Sequence, residues 1–343
     1  MKNKIYLIGN TKTSVKFFEK STLFDFEFDR VLAAFDNNTR ELFPEIIPVE
    51  EIVLPSGETS KNWDSIEAIL SKAIDIGAAR DSLFVGVGGG VVCDMAAFAG
   101  SIYMRGANIV LIPTTLLAMA DAAFGGKTGI DFRGYKNMAG TFSPATEVRI
   151  CIDLLYSLPE REYLSGLAEI IKHGLLRDKE ILNILNNQYE KVISRDPDIL
   201  QTLVEKSIAV KAWYVEQDAV ESGIRTHLNL GHTFGHALES VSNFKGYSHG
   251  EAVIWGIIKA LKTGVLLKTT SPDWLKEVLA LVNKYSYNID TPSNLDTAEI
   301  INALQKDKKK KGSNVQFVLQ KKQGETFLSP IADDILTKII KEN

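Results

Sequence analysis

The chain has 343 residues, 45% of them hydrophobic and 24% charged, with a formal net charge of -4, a composition typical of a soluble globular protein and long enough that two domains are expected. The acidic balance excludes a broad basic footprint for nucleic acid, no stretch is apolar for long enough to span a bilayer, and the apolar run near Met1 is too short for a signal peptide. The two cysteines, Cys93 and Cys151, have neither metal-site nor redox spacing and read as small core residues of a reducing compartment, so the cytoplasm is the expected address.

Val31-Leu32-Ala33-Ala34-Phe35, ending at Asp36-Asn37-Asn38, predicts a strand meeting a turn. From Ser60 to Gly77 the apolar residues Trp63, Ile66, Ile69, Leu70, Ala73 and Ile74 recur at helical spacing, with Ser60 as N-cap and Gly77 as stop. Leu83 to Val87 reads as a buried strand, Val91 to Tyr103 as a helix and Ile109 to Ile112 as a strand. This alternation argues for an open, largely parallel sheet covered by helices, a Rossmann-like α/β domain. After residue 155 the runs Pro159 to Leu176, Ile181 to Ser194, Asp198 to Val215, Asn229 to Ser242 and Glu251 to Lys268 read as helices, and β-rich sequence returns only at Val315 to Leu319. The expected organisation is an α/β domain over 1–157 and a mostly α-helical domain over 158–343.

Gly86-Val87-Gly88-Gly89-Gly90-Val91-Val92-Cys93-Asp94 joins a predicted strand to a helix. Glycines there let backbone approach a pyrophosphate, and the helix N-terminus favours its charge. The spacing departs from the strict dinucleotide fingerprint, so a plain tight turn stands beside a nucleotide site, and Asp94 reads as a ribose ligand or a helix cap. Gly125-Gly126-Lys127-Thr128-Gly129 resembles half a P-loop without its first glycine; Lys127, and then Lys136 with Asn137, can reach an anion or stand in solvent.

Residues 226–251 hold four of the five histidines. His232 and His236 are four apart, on one helical face, and His249 opens the next helical run. Neutral imidazole is the commonest catalytic metal ligand, and a rare residue so concentrated points to a metal site. Glu169 and Lys172 share a face of an earlier helix, either as a surface ion pair or with Glu169 as a carboxylate ligand beside His232 and His249. If the helix starts early enough, Arg225, Asn229, His232 and His236 form one polar stripe offering a guanidinium, an amide and two imidazoles to a small ligand. His173 and His227 read as structural or partly exposed.

Several further segments occur in a fixed order with these: Pro55-Ser56-Gly57-Glu58 with Lys61, Tyr103-Met104-Arg105-Gly106, Pro113-Thr114-Thr115-Leu116-Leu117 and Asp307-Lys308-Lys309. From about residue 50 to about 320 the ordered set resembles 3-dehydroquinate synthase, of the shikimate pathway. The resemblance implies an N-terminal NAD-binding domain, a helical C-terminal domain, a divalent metal (zinc, or cobalt) and a homodimer. It implies cyclisation of the anionic sugar phosphate 3-deoxy-D-arabino-heptulosonate 7-phosphate to 3-dehydroquinate, with NAD reduced and reoxidised in each turnover, phosphate eliminated and an intramolecular aldol step closing the ring.

By the same resemblance Glu169, His232 and His249 are the metal ligands. Asp36, Glu58, Lys61, Gly89, Gly90, Asp94, Thr114 and Thr115 contact NAD, with Lys127 and Lys136 shared between cofactor and substrate. Lys127, Asn137, Asn229, His236 and Lys308 (or its neighbour Lys309) surround the substrate phosphate and nearby hydroxyls. Arg225 and Lys211 hold the carboxylate end, Asp121 and Lys172 the ring hydroxyls, and Arg105 the phosphate region of its own or a partner subunit. Asp121, Lys127, Lys172, Asn229 and His236 form the catalytic set.

The sequence departs from the family pattern at Cys93, where glycine is usual, at Ala122-Ala123-Phe124, at Ala219 and at Ser157. None of these removes a ligand or a charged substrate residue. Other sugar phosphate cyclases, metal-dependent NAD polyol or alcohol dehydrogenases and a non-catalytic NAD-binding relative are the competing readings.

Overall fold

The computed structural model describes residues 3–45, 47–242, 246–291, 295–310 and 316–341, with 306–310 described by backbone alone. The chain packs into two units, Met1–Pro159 with Leu200–Val220, and Glu160–Ile199 with Glu221–Asn343.

The first unit opens on β1 (Asn3–Ile8) and β2 (Thr11–Phe17), an antiparallel pair joined by a two-residue turn with positive φ at Gly9. There follow β3 (Val31–Asp36), α1 (Asn37–Arg40), β4 (Glu50–Leu54), α2 (Trp63–Asp75), β5 (Leu83–Gly88), α3 (Gly90–Ile102) and β6 (Asn108–Pro113). A π-helical turn at Ala118–Ala122 leads to a separate antiparallel pair, β7 (Lys127–Phe132) and β8 (Tyr135–Phe142), and then to β9 (Glu147–Ile150). The main sheet runs in the order β1-β2-β9-β6-β5-β3-β4 and is parallel from β2 onward. The helix predicted to start at Ser60 is capped instead by Asn62, whose Oδ1 accepts from Ser65 N at 3.1 Å; Ser60 sits in the preceding 3₁₀ turn. An amide acceptor two residues closer to the apolar run wins the cap.

The parallel strands are apolar on both faces because both are covered. Leu32, Ala34 and Phe84 pack with Ile66 and Ile69 of α2 and Met95 of α3, while Phe35 points to the other side, its ring 6.0 Å from that of Phe43. Burying each such phenylalanine contributes about 1.5–3 kcal/mol. Small residues let α3 lie directly on the sheet: a Cβ on Gly86 would come within 2.9 Å of Ala96 Cβ. From β3 the chain moves to β4 on one side, and from β5 to β6 on the other. Open α/β sheets bind ligands at such a reversal, beyond the carboxyl ends of the strands. Asp36 ends β3 there, and Gly88 ends β5 just before the N-terminus of α3.

The chain continues through α4 (Glu160–Leu176), α5 (Lys179–Asn187), α6 (Tyr189–Ile193) and α7 (Pro197–Gln217). The run predicted as one helix over Ile181 to Ser194 is two, broken at Gln188 with φ -121° and ψ 33°. From Leu200 onward α7 belongs to the first unit, whereas sequence reasoning assigned everything after 157 to the second.

The second unit adds a 3₁₀ turn at Ile224–Asn229, then α8 (His232–Val241), α9 (His249–Leu266), α10 (Pro272–Lys284), α11 (Thr297–Lys310), the hairpin β10 (Gln316–Lys322) and β11 (Glu325–Pro330), and α12 (Asp333–Lys341). Helix α9 is its centre, buried nearly all round from Gly250 to Gly264 and packed by α4, α8, α10, α12 and β10. Among the described residues no helix is long and apolar enough to cross a membrane.

Candidate functional site

Helix α4 is buried continuously from Ser165 to Leu176, and that stretch contains Glu169, Lys172 and His173. Charged side chains inside a core are the informative exceptions to ordinary burial. Glu169 is 0% exposed and Lys172 2%. Their carboxylate and ammonium pair across one turn, so the ion pair is buried rather than on the surface. His232 Nε2 stands 3.7 Å and His249 Nε2 3.4 Å from the same oxygen, Glu169 Oε1. Among the described residues neither Glu169 oxygen has a hydrogen bond of good geometry. Leaving a buried carboxylate so under-satisfied is costly, and a cation among the three side chains removes the cost.

One ligand atom from each of Glu169, His232 and His249 lies within 4.8 Å of the others. A carboxylate with two imidazoles suits a divalent ion of the zinc type and leaves coordination positions open. Burial would raise the Glu169 pKa, but Lys172, with His249 and His232 behind it, outweighs this and holds the carboxylate well below its usual range. Burial, reinforced by Lys172, pushes His232 well below its ordinary value and keeps it neutral, the form a metal needs. Burial opposes charge on His249 too, yet Glu169 and Glu239 flank that ring and raise it to about 9.

Glycines bring the three helices this close. A Cβ on Gly250 would sit 2.3 Å from Ser165 O, one turn before Glu169 on α4. Cβ atoms on Gly256 and Gly235 would sit 2.0 Å from Gly231 O and 2.9 Å from Ala252 O, so α8 and α9 meet backbone to backbone. Gly250 N also donates to Ser165 Oγ at 3.0 Å, and a capping box of Ser248 with Glu251 starts α9 at His249.

The expected stripe of Arg225, Asn229, His232 and His236 is not on one helix. Gly231, with φ 82°, ends the 3₁₀ turn and lets α8 start only at His232. A side chain there would come within 2.6 Å of Val253 O and disfavour the left-handed backbone. His236 keeps its place one turn after His232, exposed, with ring centroids 5.4 Å apart. Arg225 is 2% exposed in the 3₁₀ turn, and Asn229 Nδ2 donates to Glu221 Oε1 at 2.6 Å. His173 is fully buried, and His227 Nδ1 lies 2.6 Å from Thr326 Oγ1. The Lys308 and Lys309 side chains lie outside the described residues; their helix, α11, packs against α8.

In the first unit the expected cofactor residues gather at the sheet reversal. Gly89 caps α3 without a side-chain bond, and a Cβ on it would meet Thr115 Cγ2 at 3.3 Å. Thr114 is buried, and Thr115 Oγ1 accepts from Ala118 N at 3.1 Å. Asp36 forms a capping box with Thr39. Asp94 lies inside α3 and does not cap it. Its Oδ2 takes Lys61 Nζ at 2.6 Å, and the same Nζ donates to Asn137 Oδ1 at 2.6 Å. Burial opposes the Lys61 charge, but Asp94 more than offsets it and holds the ammonium above its ordinary range.

Lys136 pairs with Glu58 at 3.5 Å. Lys211 on α7 meets Asp121 Oδ1 at 2.7 Å and Asp121 O at 2.8 Å, where the π-helical turn presents that residue. Lys127 is exposed at the first position of β7, on a strand and not in a loop leading to a helix. Arg105 stands exposed with φ 66°, and no described contact joins it to these groups.

Lys61→Met is expected to lower unfolding free energy by about 2–3 kcal/mol, the value for breaking a buried pair reduced for partial exposure of Asp94. Adding Asp94→Asn should return part of this. Urea unfolding of the single and double variants checks the coupling.

Sequence reasoning missed Glu239, Ser165 and the spacing role of Gly231, Gly235, Gly250 and Gly256. Glu239 carried a signal, lying seven residues after His232 and three after His236 on one helical stripe. The packing glycines carried none, because what a Cβ would strike is set by a different helix.

Residues 51–165 match the model of the 3-dehydroquinate synthase N-terminal family and residues 166–310 that of its C-terminal family. The chain is 40% identical over 292 residues to the 3-dehydroquinate synthase of Ruminiclostridium cellulolyticum, covering 85% of this chain and 81% of that one. It is 41% identical over 285 residues to that of Geotalea uraniireducens, covering 83% and 79%. Among solved structures, 2-deoxy-scyllo-inosose synthase complexed with carbaglucose-6-phosphate, NAD+ and Co2+ matches with a TM-score of 0.88 at 24% identity over 99% of each chain. The 2-epi-5-epi-valiolone synthase of Streptomyces hygroscopicus with NAD+ and Zn2+ matches with 0.85 at 23% identity over 95% of each. These structural likenesses carry the fold, an α/β unit followed by a helical one. Matches to both sequence models, together with relatives of this identity and coverage, show that the chain belongs to the 3-dehydroquinate synthase family.

Proposed function

We propose that the chain catalyses conversion of 3-deoxy-D-arabino-heptulosonate 7-phosphate to 3-dehydroquinate and phosphate, using NAD and a divalent metal, zinc or cobalt. The observation that carries this reading is the under-satisfied Glu169 carboxylate with His232 and His249 beside it, in a chain whose relatives are 3-dehydroquinate synthases. Neighbours of the same fold solved with NAD+ and Co2+ or Zn2+ support the cofactor pair.

Glu169, His232 and His249 would hold the metal. The sheet reversal would hold NAD, with Gly89 and Gly90 admitting the pyrophosphate against the α3 N-terminus and Asp36, Glu58, Lys61, Asp94, Thr114 and Thr115 around it. When bound, the two groups supply a reversible hydride acceptor and Lewis-acid polarisation of a neighbouring hydroxyl.

The protein's own task is to position the substrate. Lys127, Lys136, Asn137, Asn229 and His236, with Arg105 and Lys308, are the proposed partners of the phosphate and nearby hydroxyls. Buried Arg225 offers a planar fork to a carboxylate, and Lys211 a second cation. Asp121 and Lys172 are the proposed partners of the ring hydroxyls. Lys172 Nζ is held against the Glu169 carboxylate on the same helix. A homodimer is proposed with this reading. So is a cytoplasmic address, which the two buried, unpaired cysteines support.

The test is incubation of purified protein with the heptulosonate phosphate, zinc and sub-stoichiometric NAD. Phosphate should appear in step with dehydroquinate and without net NADH. Stoichiometric NADH from a simple alcohol would instead make the chain a dehydrogenase, and turnover only of a different sugar phosphate would make it another cyclase.

A further inference from the structure

We infer that Glu239 is a positioning residue of the metal centre, which fixes the tautomer and the aim of the His249 imidazole. The inference rests on reading Glu169, His232 and His249 as metal ligands. The two nitrogens of an imidazole lie on opposite sides of the ring, and in the neutral ring one donates while the other offers its lone pair. His249 Nε2 faces Glu169 Oε1 at 3.4 Å, and His249 Nδ1 faces Glu239 Oε1 at 3.5 Å. The ring is therefore bracketed by one carboxylate in front and one behind. His232 repeats the arrangement: Nε2 faces Glu169 Oε1 at 3.7 Å, and Nδ1 lies 3.3 Å from Leu230 O. In both rings an oxygen backs Nδ1, so once an ion takes the place beside Glu169 the remaining ring proton belongs on Nδ1 and Nε2 is left for the ion.

The two backings differ in kind. A backbone carbonyl serves the first histidine, and a carboxylate that is only 5% exposed serves the second. A carboxylate that deep in the unit needs a partner, and His249 is one. The helical period explains how it gets there. His232, His236 and Glu239 lie on one stripe of α8, so the helix that carries one imidazole also carries the group behind the other, on α9. Carboxylates behind metal-bound imidazoles orient the ring and raise its basicity.

The test uses full-length protein freed of metal by chelator and dialysis, with Co2+ as the spectroscopic probe and Zn2+ as competitor. Glu239→Leu is expected to weaken binding of both ions by about 10–100-fold and to alter the visible cobalt spectrum. Glu239→Gln keeps an acceptor oxygen at the same reach. It is expected to stay within about threefold of the parent in Co2+ affinity, with an unchanged spectrum, since the hydrogen bond that aims the ring survives. Thermal unfolding of the metal-free proteins runs alongside.

Recovery by glutamine but not by leucine supports the inference. It is overturned if both variants bind Co2+ like the parent, or if both lose affinity equally in step with a lower melting temperature, which is what a merely structural carboxylate would give. Should Glu239→Leu fail to fold, Glu239→Asp replaces it, keeping the charge but not the reach, with the same loss expected. A parent protein that binds neither ion would sink the metal reading itself, an outcome distinct from either result at Glu239.

Discussion

Glu169→Gln is expected to abolish stoichiometric zinc binding and with it turnover. The substitution keeps shape and volume and removes the charge. A neutral amide is a poor ligand for a divalent ion, and losing a direct ligand should cost at least the roughly 10²-fold in affinity seen at the upper end for supporting residues. If Lewis-acid stabilisation is worth about 4 kcal/mol, its loss slows turnover by about 10³-fold.

Stability should suffer as well, because Lys172 is 2% exposed and its ammonium pairs with Glu169. Stranding a buried charge costs about 3 kcal/mol or more. A second variant separates the two consequences. Glu169→Gln with Lys172→Met removes both charges, and it should regain most of the stability while binding no zinc. Metal content after dialysis, phosphate release and thermal unfolding give the three readings. A Glu169→Gln protein that retains one zinc and the parent rate would remove the carboxylate from the metal centre.

Gly250→Ala should come next in effect, although its side chain would touch no ligand. The added methyl would sit 2.3 Å from Ser165 O and 2.5 Å from Ser165 Cα, and both are backbone atoms of a buried helix. Neither can turn aside as a flexible side chain does, so α9 must move away from α4. His249 precedes this residue in the first turn of α9, and Glu169 follows Ser165 by one turn of α4. The displacement therefore falls on the 3.4 Å separation of His249 Nε2 from Glu169 Oε1.

Overpacking of this kind costs about 1–3 kcal/mol, and loss of the Gly250 N to Ser165 Oγ bond at 3.0 Å adds to it. Zinc affinity should drop by at least about tenfold, comparable with losing a supporting contact. Gly246→Ala is the control, since its nearest neighbour is the Ser242 Cβ at 3.6 Å, an ordinary contact. Equal zinc affinity in the parent and in Gly250→Ala would mean that close helix approach does not set the ligand geometry.

Much of the fold class was legible because it depends on local pattern. Leu83 to Val87 and Ile109 to Ile112 are continuous apolar runs of strand length, and buried parallel strands need that. The N-terminal hairpin was also readable, from Gly9-Asn10 between two short runs rich in Ile, Tyr, Thr, Val and Phe. The π-helical turn around Asp121 carried no such signal, and the early start predicted for α8 failed at Gly231. There the backbone is left-handed, and a neighbouring helix leaves no room for a Cβ.

The amino-acid sequence alone determined the chemistry on offer: one carboxylate, two imidazoles, a glycine loop and a set of Lys, Arg and Asn side chains in a recognisable order. Those are properties of residue type and short-range spacing, written directly in the chain. Tertiary structure decided where the chemistry happens. Glu169 and His249 are eighty positions apart, and their approach depends on how closely α4 and α9 pack at Gly250. The same holds for Glu239 behind His249 and for Lys61 between Asp94 and Asn137. Such contacts arise between helices or strands whose meeting no local pattern specifies, and distances of a few ångströms there separate a set of ligands from a set of surface side chains.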